Sequence, residues 1–531
     1  MSIWRQLGLD IDGKTNGDNS GFSVSLSTDG LTVAIGSPYN DGKDGKTWDI
    51  GLVRVYTLSG SLWIQVGQDI YGEKLLDNSG FSVSLSGDGK TVAIGAPGND
   101  GKNGIFSVDS GHVRVYTLSG SSWVQVGGDI DGEKLLDNSS YSVSLSFDGK
   151  TVAIGSRYND GKNGIDSGHV RVYKLLGNLW VQLGGDIDGE KALDNSGFSV
   201  SLSGDGKTVA IGAPGNDGNN GIFSLDSGHV RVYTLSGTNS WIQVGGDING
   251  NRILDKSGFS VSLSLDGKTV AVGAPYNDGD DCKTWDSGLV KVYILSGTSW
   301  IQLGQEIYGT EVWSKSGFSV MLSSDGKTVA IGAPYNDDKD DKDDSLKKTG
   351  EVRVYTLSDS DKLWKPLGQE IDGESECDSS GYSVSLSGDG KTVAFGSRFN
   401  DGNGNNSGQV RVYKLVSTTK TLQELVDSKT PASGILSPGY RNKDLLNGGF
   451  TAAVMKGKGY TATDLKQLDY SVRQMKQARF PLSSLLRAGF LLIRLTAYYR
   501  AEKFLALGID AQQLRVRGIL DERLREMGFD I

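Results

Sequence analysis

The sequence predicts an all-β seven-bladed propeller that is closed by its N-terminal strand and followed by a small all-α helical-repeat domain. Three observations predict it. One motif recurs seven times with a period of 57 to 64 residues, each copy holds four strand-like runs, and a ten-residue repeat replaces the motif near the end of the chain. Four short antiparallel strands per repeat are typical of a propeller blade. We therefore place the propeller at residues 1–415, a linker at 416–438 and the helical domain at 439–531.

Each copy of the motif has three anchors at constant spacing. A tryptophan is followed after 18 residues by an aromatic residue, and after 18 more by an asparagine. The tryptophans are Trp4, Trp63, Trp123, Trp180, Trp241, Trp300 and Trp364. The aromatic residues are Phe22, Phe81, Tyr141, Phe198, Phe259, Phe318 and Tyr382. Constant spacing in every copy indicates one local fold repeated seven times.

Four strand-like runs follow one another in each copy. FSVSLS and TVAIGAP come first, joined by an S-x-D-G-K-T hairpin turn, and VRVYTL and WVQVG follow, joined by LSGSS. In SVSLS the serines lie on one face and the large apolar residues on the other. We expect the serine face of one blade to pack against the apolar face of its neighbour, because small side chains opposite large ones leave little empty space between the blades.

The ends of the repeat array predict ring closure. The chain begins with a tryptophan strand, SIWRQLG, and the seventh copy ends at VRVYKL with no tryptophan strand after it. We expect the N-terminal strand to complete the seventh blade, which removes the exposed sheet edges.

The candidate recognition surface is the face that carries the long loops. The loop after each asparagine varies from 8 to 14 residues before the next glycine, which is typical of a recognition surface and also of any tolerant surface loop. We predict that the N-D dipeptides begin partner-binding loops. They are Asn40, Asp41, Asn99, Asp100, Asn159, Asp160, Asn216, Asp217, Asn277, Asp278, Asn336, Asp337, Asn400 and Asp401.

The repeat (F/Y)SVSLS-x-D-G-x-T-V-A-I-G-A-P, followed by a glycine and VRVY, resembles the FG-GAP repeats of the family that includes the integrin α-subunit head. The resemblance covers residues 1–415 and implies a propeller that binds proteins or surface ligands, with divalent cations in some integrin blades. The turn at Ser86–Lys90 is too short to surround a calcium ion, which takes 6 to 8 oxygen ligands. We therefore expect no metal site and no cofactor. The alternative is calcium binding by the acidic loops at 277–282 and 336–344 or by the DIDG stretches at 10–13, 129–132 and 186–189.

A ten-residue repeat begins at Tyr440. Aromatic residues recur every ten positions, and a leucine or methionine follows each after five. The aromatic residues are Tyr440, Phe450, Tyr460, Tyr470, Phe480 and Phe490, and their partners are Leu445, Met455, Leu465, Met475, Leu485 and Leu495. Each unit predicts a helix of about two turns, with Thr461 opening a capping box. Such short helices need stacking to be stable. The segment resembles short Gly-aromatic helical repeats.

Charge separates the two regions. From Val416 onward there are 18 Lys/Arg and 11 Asp/Glu, whereas the rest of the chain has a net charge of −17. We expect the basic residues of the repeat to occupy solvent-facing positions, as Lys466, Lys476 and Arg487 do. We expect the basic tail to dock on an acidic partner or to form oligomers, and we expect no nucleic-acid binding, because a charge of +7 is mild for this length.

Motif searches favour a protein without catalysis. His112, His169 and His229 share one repeat position, which Leu52, Leu289, Glu351 and Gln409 occupy in other copies, so we expect a surface position without a metal or catalytic role. G-x-S-x-G, H-E-x-x-H and P-loop motifs do not occur.

The sequence therefore predicts a non-enzymatic protein-interaction or scaffold protein, with the loop face binding a partner and the tail anchoring or oligomerising the chain. The alternatives are a calcium-dependent adhesion or carbohydrate-binding module and a propeller enzyme with one axial ion. The N-terminus lacks the pattern of a secretory signal and no run of about 18 apolar residues exists. We expect no transmembrane segment and an intracellular or particle-associated location rather than classical secretion.

Overall fold

The computed structural model describes residues 2–530 except 44, 46, 102–107, 219–224, 238–239, 281–283, 337–348, 418–421, 437–439, 441 and 517–518. The chain divides into two compact units. One unit is Gln6–Lys414, and the other combines Met1–Arg5 with Leu415–Ile531.

The first unit is a ring of seven antiparallel sheets, and each blade has five strands instead of the expected four. The chain begins with β1 (Ser2–Gln6) and β2 (Ile11–Asp12). In blade 1 the first four strands run from innermost to outermost, and the two-residue fifth strand pairs with the third. Its strands are β3 (Ser23–Leu26), β4 (Thr32–Ser37), β5 (Leu52–Ser59), β6 (Leu62–Gln65) and β7 (Ile70–Tyr71).

Blades 2 to 6 repeat the order of blade 1. Blade 2 comprises β8 (Ser82–Leu85), β9 (Thr91–Ala96), β10 (His112–Ser119), β11 (Ser122–Gln125) and β12 (Ile130–Asp131). Blade 3 comprises β13 (Ser142–Leu145), β14 (Thr151–Ser156), β15 (His169–Leu176), β16 (Leu179–Gln182) and β17 (Ile187–Asp188). Blade 4 comprises β18 (Ser199–Leu202), β19 (Thr208–Ala213), β20 (His229–Ser236), β21 (Ser240–Gln243) and β22 (Ile248–Asn249). Blade 5 comprises β23 (Ser260–Leu263), β24 (Thr269–Ala274), β25 (Leu289–Ser296), β26 (Ser299–Gln302) and β27 (Ile307–Tyr308). Blade 6 comprises β28 (Ser319–Leu322), β29 (Thr328–Ala333), β30 (Glu351–Leu357), β31 (Trp364–Pro366) and β32 (Ile371–Asp372).

Blade 7 combines both ends of the repeat array, which confirms the predicted closure. It comprises β33 (Ser380–Leu386), β34 (Thr392–Ser397) and β35 (Gln409–Ser417). The N-terminal strand β1 is its outermost strand, and β2 pairs with β35 through Ile11 and Val410. The ring therefore closes through hydrogen bonds between residues almost 400 positions apart.

The serines of SVSLS join neighbouring blades, which is more than the space-filling role that we expected. The Oγ of Ser82 donates to the carbonyl of Ser140 at 2.8 Å, and the backbone N–H of Leu145 donates to Ser84 Oγ at 2.9 Å. The first contact occurs at all seven junctions and the second at six, because Met321 replaces the accepting serine in blade 6. Hydrogen-bonded serines thus hold the centre of the ring together.

The second unit contains eleven helices among its described residues. They are α1 (Leu422–Asp427), α2 (Ala432–Leu436), α3 (Asn442–Asn447), α4 (Ala452–Gly457), α5 (Ala462–Gln467), α6 (Val472–Gln477), α7 (Leu482–Arg487), α8 (Leu492–Thr496), α9 (Ala501–Leu505), α10 (Ala511–Arg515) and α11 (Asp521–Met527). The repeat positions are buried as expected, with Met455, Leu465 and Met475 at 0 % exposure. Helices α1 and α2 lie in the stretch that we expected to be a linker. Thr461 forms the expected capping box with Asp464.

Stacking in this unit joins alternate helices. Helix α4 packs on α6, and α5 packs on α7. Tyr470 OH donates to the carbonyl of Phe450, and Lys466 Nζ donates to the carbonyl of Gly489 at 2.7 Å. Lys466, one of the residues predicted to face solvent, is half-buried, and both Lys466 and Lys456 donate to carbonyls beyond the next helix. None of the helices in the described part of the chain has the length and apolar character needed to cross a membrane.

Candidate functional site on the loop face

The loop face is the end of the propeller that carries two sets of connections. One set enters the innermost strands, as residues 72–81 do, and the other joins the second and third strands, as residues 97–111 do. Antiparallel order places both sets at the same end of every blade.

The asparagines of the N-D dipeptides lie at the base of these loops and are buried. Asn99 is 1 % exposed, its Nδ2 donates to Asp77 Oδ1 at 3.0 Å, and its Oδ1 accepts the N–H of Gly101 at 2.7 Å. The other six are at most 5 % exposed, and they are Asn40, Asn159, Asn216, Asn277, Asn336 and Asn400. These side chains therefore shape the loops from within.

The aspartates of the same dipeptides close the loops. Asp100 Oδ1 accepts the backbone N–H of Asp109 at 3.1 Å. The same contact, at 2.8 to 3.1 Å, is made by Asp41, Asp160, Asp217, Asp278 and Asp401. Asp337 lies outside the described residues. Partner binding by these loops stays a prediction, and any contact surface must be offered by residues farther along them.

The aspartates that face the buried asparagines are themselves buried. Burial raises the pKa of Asp255 to about 6, although Asn277 Nδ2 donates to its Oδ1 at 3.1 Å. Burial also raises the pKa of Asp77, Asp137 and Asp194. An asparagine amide donates to the carboxylate of Asp77, Asp137 and Asp255.

Five consecutive blades carry a pair of exposed apolar side chains on the loop face. In blade 1 the backbone N–H of Leu76 donates to the carbonyl of Trp48 at 2.9 Å, which joins the two sets of loops. Blades 2 to 5 make the same bond at 2.7 to 2.9 Å, and the side chains are 39 to 68 % exposed. We call this set the apolar crescent, and it comprises Trp48, Leu76, Val108, Leu136, Ile165, Leu193, Leu225, Leu254, Trp285 and Trp313.

One member of each pair has a left-handed backbone. Leu76, Leu136, Leu193, Leu254 and Trp313 have φ between 63° and 67°. A bulky residue pays about 1–3 kcal/mol for this conformation, and these side chains gain little burial in return. At the same place in blade 7 the chain has Gly17, at φ 81°. In the isolated chain the crescent therefore raises the free energy of the folded state in two ways, through the left-handed backbone and through the exposed apolar surface.

Seven aromatic rings surround the axis at the same face. Each ring centroid lies 4.7 to 5.0 Å from the next, and the series closes from Tyr382 back to Phe22. The guanidinium of Arg157 lies 3.7 Å from the ring centre of Tyr141, and that of Arg398 lies 3.9 Å from that of Tyr382. The axial end of the loop face is thus aromatic with two fixed positive charges.

The expectation that the three histidines lie on the surface is wrong. His112, His169 and His229 are each 1 % exposed, because the loop from the preceding blade covers the start of the third strand. Each lies beside a glutamate from that loop and an aspartate of its own blade. The first position of the third strand thus becomes interior because a loop of the preceding blade packs on it.

Sequence reasoning did not identify the apolar crescent or the two axial arginines. The available signal was an apolar residue three positions before each loop-closing glycine in five copies, at a place where copies six and seven have Lys347 and Asn405. Exposure and the left-handed backbone are visible only in the structure.

A scan against protein-family models found no match, and a search of the curated proteins found none either. The resemblance to FG-GAP repeats therefore stays a prediction, and the seven-bladed propeller with its helical tail is the identification that the structure supports.

Proposed function

We propose that this chain is a non-enzymatic protein-interaction scaffold whose loop face binds a protein partner and whose basic helical tail anchors or oligomerises it. The apolar crescent carries the proposal. Exposed apolar side chains scattered singly are ordinary, but paired ones on five consecutive blades form a patch of the kind that marks interaction sites.

The composition of the loop face supports a protein partner. Trp48, Trp285 and Trp313 lie in the crescent, and the ring centres of Trp285 and Trp313 are 6.2 Å apart. Tryptophan, tyrosine and arginine dominate the energetics of protein interfaces. Arg157 and Arg398 offer charged contacts near the axis, so a partner with an apolar surface and an acidic group fits this face best.

The strained backbone favours a binding role over chance exposure. Leucine in a left-handed conformation is disfavoured by sterics, and its exposure adds the cost of hydrating apolar surface. When a partner buries the side chains, the second cost disappears and the burial gained offsets the first. Glycine would remove the first cost, and blade 7 demonstrates that the loop accepts it.

The tail offers a second apolar surface. Leu491, Val516 and Leu520 are 63, 83 and 73 % exposed. A cleft of about 780 Å³ lies between helices of this unit, and Tyr470 and Arg494 are among the residues that line it. These features support anchoring or self-association through the tail.

The crescent can be tested with a variant that removes apolar surface without straining the fold. We expect the fourfold glycine variant to keep or raise its melting temperature and to lose the partners that the immobilised wild-type chain retains from an extract of its source cells. The variant is Leu76→Gly, Leu136→Gly, Leu193→Gly and Leu254→Gly.

The matched control removes exposed apolar side chains from the outermost strands, which are 43 to 52 % exposed. It is Val124→Ser, Val181→Ser, Ile242→Ser and Ile301→Ser. This control should retain the same partners as the wild type. Equal retention by the glycine variant and the wild type would contradict the proposed role of the loop face.

A further inference from the structure

Three groups of one histidine and two carboxylates occur at consecutive blade junctions. In each group a histidine opens the third strand, an aspartate precedes the fifth strand of the same blade, and a glutamate comes from the loop of the preceding blade. One donor atom from each residue lies within 4.8 Å of the other two. The groups are Glu73, His112 and Asp129; Glu133, His169 and Asp186; Glu190, His229 and Asp247.

The histidines of two groups have a nitrogen that the protein leaves unsatisfied. The Nε2 atoms of His169 and His229 are fully buried and have no hydrogen-bond partner among the described residues. Burial, with help from the neighbouring arginine, lowers the pKa of both rings to about 4. A neutral imidazole with a free nitrogen lone pair is the commonest metal ligand in proteins. A buried polar atom without a partner is costly, and a bound ion would remove this cost.

The two carboxylates of each group are held by one oxygen each. At the junction of blades 2 and 3, Gln182 Nε2 donates to Asp186 Oδ1 at 2.8 Å, and Arg171 lies 3.3 Å from Glu133 Oε1. The second oxygen of each carboxylate has no hydrogen bond or ion pair to a described residue. In metal sites a ligating carboxylate commonly accepts a hydrogen bond from a neighbouring group, which fixes its orientation toward the ion. The other two groups repeat these contacts, with Gln125, Asp129, Arg114 and Glu73 in one and Gln243, Asp247, Arg231 and Glu190 in the other.

The donor set selects the class of ion. One imidazole nitrogen and two carboxylate oxygens suit zinc, which binds both at about 2.0–2.2 Å. Calcium and magnesium prefer shells made of oxygen alone. We propose that each of these three groups binds one divalent transition-metal ion of the zinc class, which joins a loop of one blade to the third strand of the next. The three ions would stabilise the junctions between blades 1 and 2, 2 and 3, and 3 and 4. This role does not depend on what the loop face binds.

Other blades of this chain indicate a substitution that removes the histidine and keeps the fold, namely leucine. Leu52 and Leu289 occupy the same position in blades 1 and 5 and are 0 and 3 % exposed, so the fold accepts a buried leucine there. At these two junctions the preceding loop offers Lys14 and Asn251 instead of a glutamate. The two junctions with leucine therefore lack the glutamate as well as the histidine, whereas blade 7 keeps Glu374 and Asp10 beside Gln409.

The test measures zinc bound to the full chain after removal of metal with a chelator and equilibrium dialysis against zinc chloride. We expect about three ions per wild-type chain, two after His169→Leu, and none after the triple change His112→Leu, His169→Leu and His229→Leu. Gln409→Leu, which changes the same strand position in blade 7, should leave the number unchanged. Zinc should raise the melting temperature of the wild type and not that of the triple variant.

Circular dichroism of each variant establishes that it is folded before binding is compared. Two further results overturn the proposal whatever the variants do: a wild-type chain that retains no zinc, or one from which a moderate excess of calcium displaces it. Equal zinc binding by the wild type and a folded triple variant also overturns it, because the ions then lie at other acidic groups such as Glu351, Glu370 and Asp372.

Discussion

At the scale of single residues, the tryptophan motif is a joint between blades. The indole N–H of Trp123 donates to the carbonyl of Val66 in the preceding blade at 2.8 Å. Gly67, next in sequence, has φ 72°, and a Cβ there would lie 2.5 Å from Trp123 Cδ1. The W-x-Q-x-G motif therefore needs its glycine for two reasons, a left-handed backbone and contact with the next tryptophan.

Gly67→Ala should lower the free energy of unfolding by about 1–3 kcal/mol more than Gly120→Ala, because it adds a steric overlap to the cost of a left-handed alanine. Gly120 is the matched control, since its φ is 61° and nothing lies within 4 Å of a Cβ placed there. Urea unfolding of both variants checks the difference. Equal losses would mean that the tryptophan ring moves aside without cost.

At the scale of elements, helices of 5 to 7 residues persist because each is supported from outside. Helices this short are unstable alone in water. Lys466 extends from α5 to the carbonyl of Gly489, at the end of α7, and its ammonium lies 5.4 Å from the ring centre of Phe490. Lys456 makes the equivalent contacts one unit earlier, with the carbonyl of Arg479 at 2.8 Å. The basic residues of the repeat thus cap the helices two units ahead.

Lys466→Met should destabilise the helical unit by about 1 kcal/mol, since it removes a charge-assisted hydrogen bond at a helix C-terminus while keeping the aliphatic stem. Helical circular dichroism during thermal unfolding checks this. Arg487→Met is the control, because Arg487 is exposed and forms no hydrogen bond or ion pair with described residues; its effect should stay within about 0.5 kcal/mol. A larger loss from the arginine change would refute the capping role.

At the scale of the whole molecule, a serine hydroxyl bonded to a carbonyl joins the blades at all seven junctions of the ring, including the one that closes it. Ser383 Oγ in blade 7 donates to the carbonyl of Gly21 at 2.8 Å, and the N–H of Leu26 donates to Ser385 Oγ at 2.9 Å. These distances match those between blades that follow one another in sequence. Closure by chain ends therefore uses both contacts that join the other blades, whereas the junction of blades 6 and 7 has only the first.

Ile11→Ala and Ile130→Ala should destabilise the propeller equally, by about 2–4 kcal/mol. Both isoleucines occupy the fifth-strand position, are 5 and 4 % exposed, and pair with a valine of a third strand. Ile11 lies at the closing blade and Ile130 within a continuous one. Urea unfolding of both variants measures the two losses in free energy of unfolding. If Ile11→Ala leaves that free energy almost unchanged, the closing blade opens before the rest of the propeller unfolds.

The blade number, the closure and the helical repeat could be predicted because they depend on periodicity along the chain. The fifth strand could not, since two residues such as Ile70 and Tyr71 are too few to show an alternation. Burial of His169 depends on a loop from another blade, and the exposure of Leu76 depends on a left-handed turn. Neither property is encoded in a local pattern. The alternate stacking of α4 on α6 was missed for the same reason.

The alternate stacking also sets a rule for how such a tail can change in length. Because α4 contacts α6 and α5 contacts α7, the repeat of the stack in this region holds two units, or 20 residues. Gain or loss of two units leaves every remaining helix with an equivalent neighbour. Gain or loss of one unit between α4 and α7 would exchange the two sides of the stack beyond that point. Duplication in pairs is therefore the route by which a tail of this kind can lengthen without redirecting its surfaces.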